Sequence, residues 1–473
     1  MSQEFDLVVL GGGIGGYVAA IRATQLGMSV AIVEKDKMGG TCLHRGCIPS
    51  KALLRSAEVF ATIKESEKYG VRTGNVELDF GLVQQRKRSI TEQLHKGVEY
   101  LMNKGKIKIY QGFGRVMGPS IFSPQAGAVR IETADGEQEI IVPRFLLIAT
   151  GSRPRVLSGL NIDGIHIMTS DEALEMEQLP ASMIIVGGGV IGIEWASLLS
   201  DFGVDVTVME YGDRILPTED ADISKELTRI LKKRKVKIVT NAKVISESAQ
   251  VADGQVSVQA EVKGDIQTFT AEKMLLSVGR QANVDNLGIE ATEIKIEQGQ
   301  IAVNSTYQTA EPHIYAIGDV IGGIQLAHVA AHEGILAVEH MNNRAVEALD
   351  PTKVAKCTYS RPEVASVGLS EAEAKQQGYR VKTGKFSFKS LGKALVFGEN
   401  DGFVKLVVDE QTNDVLGVHM IGPHVTEMIS EGALARVLDA TPWEIAHTIH
   451  PHPTLSEAFA EAALDIEGLA IHS

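Results

Sequence analysis

A strand, glycine turn, helix, strand and acidic residue, met twice in succession, predict an α/β fold with two Rossmann-like dinucleotide-binding domains ahead of a C-terminal α+β domain. Three observations carry this prediction. The two segments themselves are FDLVVLGGGIGGYVAAIRATQLGMSVAIVEKD at residues 5–36 and MIIVGGGVIGIEWASLLSDFGVDVTVMEYGD at 183–213. Each is followed by a matching strand and glycine, LLIATGSRP at 146–154 and MLLSVGRQA at 274–282. After Pro351 come short strands, GFVKLVVDE and DVLGVHMIG, and then helices, enough chain for a further domain.

In the first unit, Gly11, Gly13 and Gly16 allow a tight turn and a close backbone approach to a pyrophosphate, whose charge rests on the start of the following helix. Glu34, at the end of the second strand, is placed to accept hydrogen bonds from an adenosine ribose. Gly187, Gly189, Gly192 and Glu210 repeat the arrangement, and an acid at 210 repels a ribose 2′-phosphate, which favours NAD over NADP. The span from Gly11 to Gly151 is longer than the span from Gly187 to Gly279. The extra length holds a cysteine loop and a helical stretch, so a redox segment is read as inserted into the first nucleotide domain. Residues 107–145 alternate, with a turn at Asp135–Gly136, and predict a small antiparallel sheet; QVSVQAEVKGDIQTF in the second domain reads the same way. IYAIGDV, ending in Gly318–Asp319, is a strand whose aspartate could hold a ribityl or ribose hydroxyl.

Composition narrows the classes. A net charge of −14 argues against nucleic acid as a partner, because phosphate binding needs clustered cations. The apolar runs are short and broken by glycine or charge, so no membrane span is expected. The N-terminal MSQEFDLVVL has no basic region and argues against a targeting peptide, which makes the expected location cytoplasmic. Three cysteines do not make a disulfide scaffold, and the isolated Cys357 reads as a small core residue.

The close pair in GGTCLHRGCIPSK, Cys42 and Cys47, therefore reads as redox or metal chemistry. Zinc would have Cys42, His44 and Cys47, but no second cluster completes the set and Lys51 would repel a cation; no metal site is expected. Two residues five apart on a regular α-helix have Cα atoms about 8.6 Å apart, beyond the roughly 7 Å that a disulfide spans. If the bond forms, the helix must break between them. Gly46 and Pro49 suit a break, with Pro49 placed to open the helix SKALLRSAEVF. A thiolate at Cys47 would then lie at a positive helix end with Lys51 one turn on. His44 and Arg45 between the cysteines are expected to favour a thiolate by their charge or to steer an acidic partner. HPHPTLSEAF near the C-terminus reads either as a capping box, Thr454 with Glu457, or as a base oriented by a carboxylate.

Taken together, GGTCLHRGCIPSKALL, LLIATGSRP, GGGVIGIE, AIGDV, LAHVAAHEG and HPHPTLSEAF are similar to the motifs of the dihydrolipoamide dehydrogenases, flavoprotein disulfide reductases of 2-oxo acid dehydrogenase and glycine-cleavage complexes. The resemblance runs along essentially the whole chain. It implies an FAD-binding domain at 1–150 with the redox disulfide, an NAD-binding domain at 151–282, a central domain at 283–350 completing the FAD site, and a dimer-interface domain at 351–473. It implies Cys42 as the thiol that exchanges with dihydrolipoamide, Cys47 as the thiol against the flavin, and Lys51 with Glu194 as an ion pair beside the flavin. His452 is implied as the base and Glu457 as its partner, reaching the disulfide of the other subunit of a homodimer; His450 reads as supporting. Implied FAD contacts also include Gly114, Thr150, Gly151, Ser152, Asp319, Gln325, Leu326, Ala327 and His328. Implied NAD contacts add Glu194, Val244 and Gly279. The expected reaction passes electrons from a protein-bound dihydrolipoyl group to Cys42–Cys47, to FAD and to NAD⁺. A related NADPH-dependent disulfide reductase is the rival reading, and Glu210 argues against it. His44, Arg45, Arg361 and Pro451 depart from the commonest family pattern.

Overall fold

Gln3–Leu10 runs as a strand into the first glycine turn, and helix α1 (Ile14–Gln25) returns the chain to a parallel strand, Val30–Glu34. Lys108–Gln111 adds a further parallel strand on one side. On the other lies the long strand Gln138–Ile148, which does two jobs. Its first half pairs antiparallel with Ala128–Glu132, which pairs in turn with Phe113–Met117. Its second half runs parallel to Gln3–Leu10 and to Ile314–Ala316. The expected antiparallel sheet is therefore an extension of the nucleotide-binding sheet, with its turn at Gly136 (φ +81°). The pairing also sets the end of Ile314–Ala316, just before Asp319, next to the Ile148 end that leads into Thr150.

The structure is a computed structural model that describes residues 3–119 and 125–472; residues 120–124, inside the stretch expected to alternate, lie outside the described residues. It divides into two units. The first is made of residues 1–52, 84–155 and 280–349. The second is made of residues 53–83, 156–279 and 350–473. Helix α2 (Gly40–His44) stands wholly in the first unit, while α3 (Cys47–Lys64) and α4 (Phe80–Lys104) each pass from one unit to the other along the chain.

In the second unit five parallel strands order as Lys237–Val239, Asp205–Met209, Ser182–Val186, Lys273–Leu276 and Ile167–Thr169. The helix Val190–Phe202 behind the second glycine turn is buried along most of its length, as its apolar sequence requires. The second passage read as antiparallel forms the three strands Ala242–Ala252, Gln255–Val262 and Asp265–Ala271. The C-terminal region is a five-stranded antiparallel sheet, with Phe403–Asp409 and Val415–Gly422 buried throughout and helices packed beside it. Cys357 is half-buried on Lys356–Thr358, against this core. No helix among the described residues is long and apolar enough to cross a membrane.

One ionic cluster ties this unit together. Lys405, with a side chain 4 % exposed, lies 3.0 Å from Asp220, 3.2 Å from Asp222 and 2.8 Å from Glu371. Asp220 also caps the helix Ala221–Lys233 by accepting from the Asp222 N–H. Burial opposes ionisation of Asp220 and Asp222, but His419 and Lys405 outweigh it at the first and Lys405 at the second, so both carboxyls lie below their usual range. Hydrogen bonds from Lys375 and Lys405 hold Glu371 low as well. Carboxyls depressed in this way stabilise the fold above their unfolded pKa of about 4, and the contribution disappears as pH falls through the folded values. Lys405→Ala leaves the carboxylates uncompensated and is expected to cost about 3–5 kcal/mol. Denaturation midpoints followed against pH should be lower in the variant at neutral pH, and the gap from the wild type should narrow as pH falls and the carboxyls take up protons.

Candidate redox and nucleotide sites

The two glycine turns are the same object built twice. Gly11 has φ +106° and a Cβ there would meet the Ala149 carbonyl oxygen at 2.3 Å; Gly187 has φ +107° and would meet that of Ser277 at 2.3 Å. A Cβ at Gly16 would lie 2.0 Å from the Gly11 oxygen, and one at Gly192 2.0 Å from the Gly187 oxygen. Gly13 and Gly189 begin their helices without a side-chain cap, which leaves first-turn N–H groups to an anionic ligand. Glu34 Oε2 accepts from the Gly12 N–H at 2.6 Å and Oε1 from the Asp36 N–H at 2.7 Å. Glu210 does the same with the N–H groups of Gly188 and Gly212, both at 2.6 Å. Each acid thus shapes its own turn before any ribose arrives, and each oxygen keeps a lone pair for a hydroxyl.

Around the first turn the expected flavin contacts gather. Gly114 packs so closely under Leu10 and Val33 that a Cβ would lie 2.7 Å from a Leu10 methyl. Thr150 and Asn283 exchange two hydrogen bonds of 2.9 Å. Ser152 donates to Asp319 and accepts from Arg280 Nε at 2.6 Å. Glu333 accepts from the Gly318 N–H at 2.7 Å, and burial pushes its carboxyl up to about 7. Gln325 and Leu326 lead into the helix Ala327–Met341, which Ala327 and His328 begin. Asn283 lies outside the motifs, and Arg280 and Glu333, though inside MLLSVGRQA and LAHVAAHEG, are not marked by them; their roles come from partners in other elements.

The redox loop breaks where the disulfide geometry requires. Helix α2 ends at His44, Arg45 and Gly46 interrupt, and α3 starts at Cys47. The break differs from expectation in one detail: Pro49 lies inside the first turn of α3 and does not open it. Its missing N–H falls among the donors that have no intrahelical acceptor, so the helix tolerates it there. Cys47 is the first helical residue, at the positive end of the dipole. Both cysteines are thiols in the structure and both are half-buried. The hydrogen bond to Cys47 and burial raise the pKa of Cys42, while Lys51 pulls it down. The direction disfavours ionisation of Cys42, and the helix start at Cys47 is the place in the loop that favours a thiolate.

His44 and Arg45, between the cysteines, both have partners of their own. Arg45 forms an ion pair with Asp36. His44 is half-buried; burial lowers its pKa and outweighs the hydrogen bond of its Nε2, 2.9 Å from the Met38 carbonyl oxygen. The same oxygen lies 2.9 Å from His95 Nδ1. Neither Met38 nor His95 is marked in the sequence.

In the second unit His452 Nδ1 lies 2.8 Å from Glu457 Oε1, and Glu457 Oε2 accepts from the Thr454 N–H at 2.8 Å. The Thr454 hydroxyl donates instead to the Pro451 carbonyl, so half of a capping box coexists with a histidine–carboxylate dyad. His452 is 78 % exposed. With Nδ1–H on the carboxylate, Nε2 is left as the proton acceptor. Burial raises the Glu457 carboxyl, but the bonds from His452 and Thr454 bring it below its usual range. His450 is buried and paired with Glu431 at 2.7 Å, a supporting position. Glu194, 4 % exposed, accepts from the Tyr359 N–H at 3.0 Å. Arg361 and Arg234 share the Asp201 carboxylate at 2.7 and 2.6 Å. Gly279 turns at φ +106°, and Val244 lies on Ala242–Ala252.

The chain is similar to known proteins along its whole length. Residues 5–334 match the pyridine nucleotide-disulphide oxidoreductase family, and residues 354–463 match its dimerisation domain. A dihydrolipoyl dehydrogenase of Bacillus subtilis is 62% identical over 473 residues, the full length of both chains. One of Zymomonas mobilis is 42% identical over 476 residues, again covering 100% of each. The crystal structure of LpdA from Mycobacterium tuberculosis superimposes with a TM-score of 0.90 at 27% identity, covering 97% of this chain and 98% of the other. The chain belongs to the pyridine nucleotide-disulphide oxidoreductase family.

The contact between the cysteine helix and the first glycine turn gives a direct test. Gly40 has φ +60°, and a Cβ there would lie 2.6 Å from the Gly13 Cα. Gly40→Ala is expected to displace the first glycine turn and lower the flavin retained per chain after gel filtration. Gly70→Ala, at φ +75° with nothing within 4 Å, should retain flavin as the wild type does.

Proposed function

We propose that this pyridine nucleotide-disulphide oxidoreductase is a dihydrolipoyl dehydrogenase, which oxidises protein-bound dihydrolipoyl groups and reduces NAD⁺. The observation that carries the reading is the redox loop: two thiols on either side of a helix break, with Cys47 at the start of α3. The glycine cradles, which a Cβ would fill, fit the two nucleotides. Residues 1–150 with 283–350 form the FAD-binding part, 151–282 the NAD-binding part and 351–473 the dimer interface. Exposed Leu434, Val437, Leu438, Trp443 and Ile449 (95 % exposed) in that last part support a homodimer, whose formation would remove them from water. The substrate is a lipoylated protein of a 2-oxo acid dehydrogenase or glycine-cleavage complex, and the setting is the cytoplasm.

His452 takes a proton from one substrate thiol, and Glu457 stabilises the imidazolium that forms. The substrate thiolate attacks Cys42 of the disulfide, forms a mixed disulfide and releases Cys47 as a thiolate at the head of α3. The second substrate sulfur then attacks the first, the cyclic disulfide leaves, and Cys42 departs as a thiol. FAD, held by Glu34, the Gly11–Gly16 turn, Ser152 and Asp319, supplies the two-electron chemistry that links the thiol pair to NAD⁺. The Gly187–Gly192 turn and Glu210 orient the nicotinamide nucleotide, and the Glu210 carboxylate disfavours a 2′-phosphate. Overall one dithiol and one NAD⁺ become one disulfide, one NADH and one proton.

A steady-state assay with dihydrolipoamide and NAD⁺ should far exceed one with glutathione disulfide and NADPH; the reverse preference would overturn the reading. Cys42→Ser should abolish dithiol oxidation with FAD and dimer retained. His452→Gln should lower it by about 10²–10⁴-fold, the usual range for a general base, while NADH still bleaches the flavin at an unchanged rate.

A further inference from the structure

The redox loop has a weak entry. Helix α2 spans five residues, too few to be stable alone. Its N-cap is Gly39, at φ +110° and without a side-chain cap, and Gly40 follows at φ +60°. Two glycines fix little of the backbone on which Cys42 stands.

What fixes it is the carbonyl just before them. Met38 O receives the His44 Nε2–H and the His95 Nδ1–H, each at 2.9 Å, which uses both of its lone pairs. The two rings meet edge to face, centroids 5.2 Å apart. The bond from His44 closes the chain on itself around Cys42, from the last residue of α2 back to the residue before its cap. The bond from His95 ties that closed loop to the long helix α4, where Glu99 lies 3.5 Å from the other ring nitrogen. On the inner side, the Gly39 N–H donates to the Gly12 carbonyl at 2.8 Å, and the Met38 side chain fills the space above Gly12. The carbonyl is the joint between the first glycine turn, α4 and the cysteine helix.

We infer that His44 and His95 are positioning residues, a two-donor clamp on the Met38 carbonyl that fixes Cys42 relative to Cys47 and so sets the equilibrium between their dithiol and disulfide forms. The inference rests on reading Cys42–Cys47 as the redox pair. Disulfide geometry is narrow, so loosening one partner changes how readily the bond closes.

The test equilibrates the FAD-loaded dimer with dithiol–disulfide redox buffers and counts free Cys42 and Cys47 by alkylation and mass spectrometry. His44→Ala and His95→Ala should each shift the dithiol–disulfide equilibrium by about fivefold, the worth of one net hydrogen bond. The double alanine variant should shift it little further, because both donors hold one carbonyl. His44→Asn and His95→Gln, which keep an N–H donor, should return the equilibrium towards the wild-type value. Unshifted alanine variants, fully additive effects, or amide variants that shift as far as alanine each overturn the clamp. A wild type with no exchangeable disulfide overturns the redox reading together with it.

Discussion

The carboxylate of Glu34 divides its two oxygens between the Gly12 and Asp36 N–H groups, and the first unit is arranged around that division. One bond holds the glycine turn against the end of the second strand. The other bends the chain after the strand into the loop that delivers Met38, Gly39 and Gly40. Gln111 supports the same loop by donating to the Asp36 carbonyl at 2.7 Å. The cysteine helix can follow directly from the nucleotide turn because these bonds leave the intervening residues one path. A charged acceptor suits the task, since charge-assisted hydrogen bonds are shorter and stronger than neutral ones. Glu210 repeats the device in the second unit without a redox loop behind it.

Several groups at these sites have a structural and a chemical task at once. Glu457 orients His452 with one oxygen and holds the Thr454 backbone with the other. Cys47 begins a helix and gains from its dipole the stabilisation that a thiolate needs. The charges next to the cysteines are otherwise compensated: Arg45 by Asp36, and His44 by burial as a neutral donor. Lys51 lowers the Cys42 pKa against the stronger effects of Cys47 and burial.

The sequence by itself determined the elements whose signal is local. Glycine spacing, a buried helix and an acid at the end of a strand mark both nucleotide turns, because each requirement lies within about thirty residues of chain. The helix break between Cys42 and Cys47 followed from disulfide geometry once the two were taken as a bonding pair. Only the tertiary structure showed the partners of His44 and Arg45, since burial disfavours charge on the imidazole and Asp36 pairs with the guanidinium. It alone paired Ser152 with Asp319 and Arg280, joined Lys405 to carboxylates more than thirty residues away, and brought His95 onto the Met38 carbonyl. These partners are distant along the chain and follow no period, so no local pattern records them. Sheet order and helix packing bring them together, and those form only when the whole unit folds.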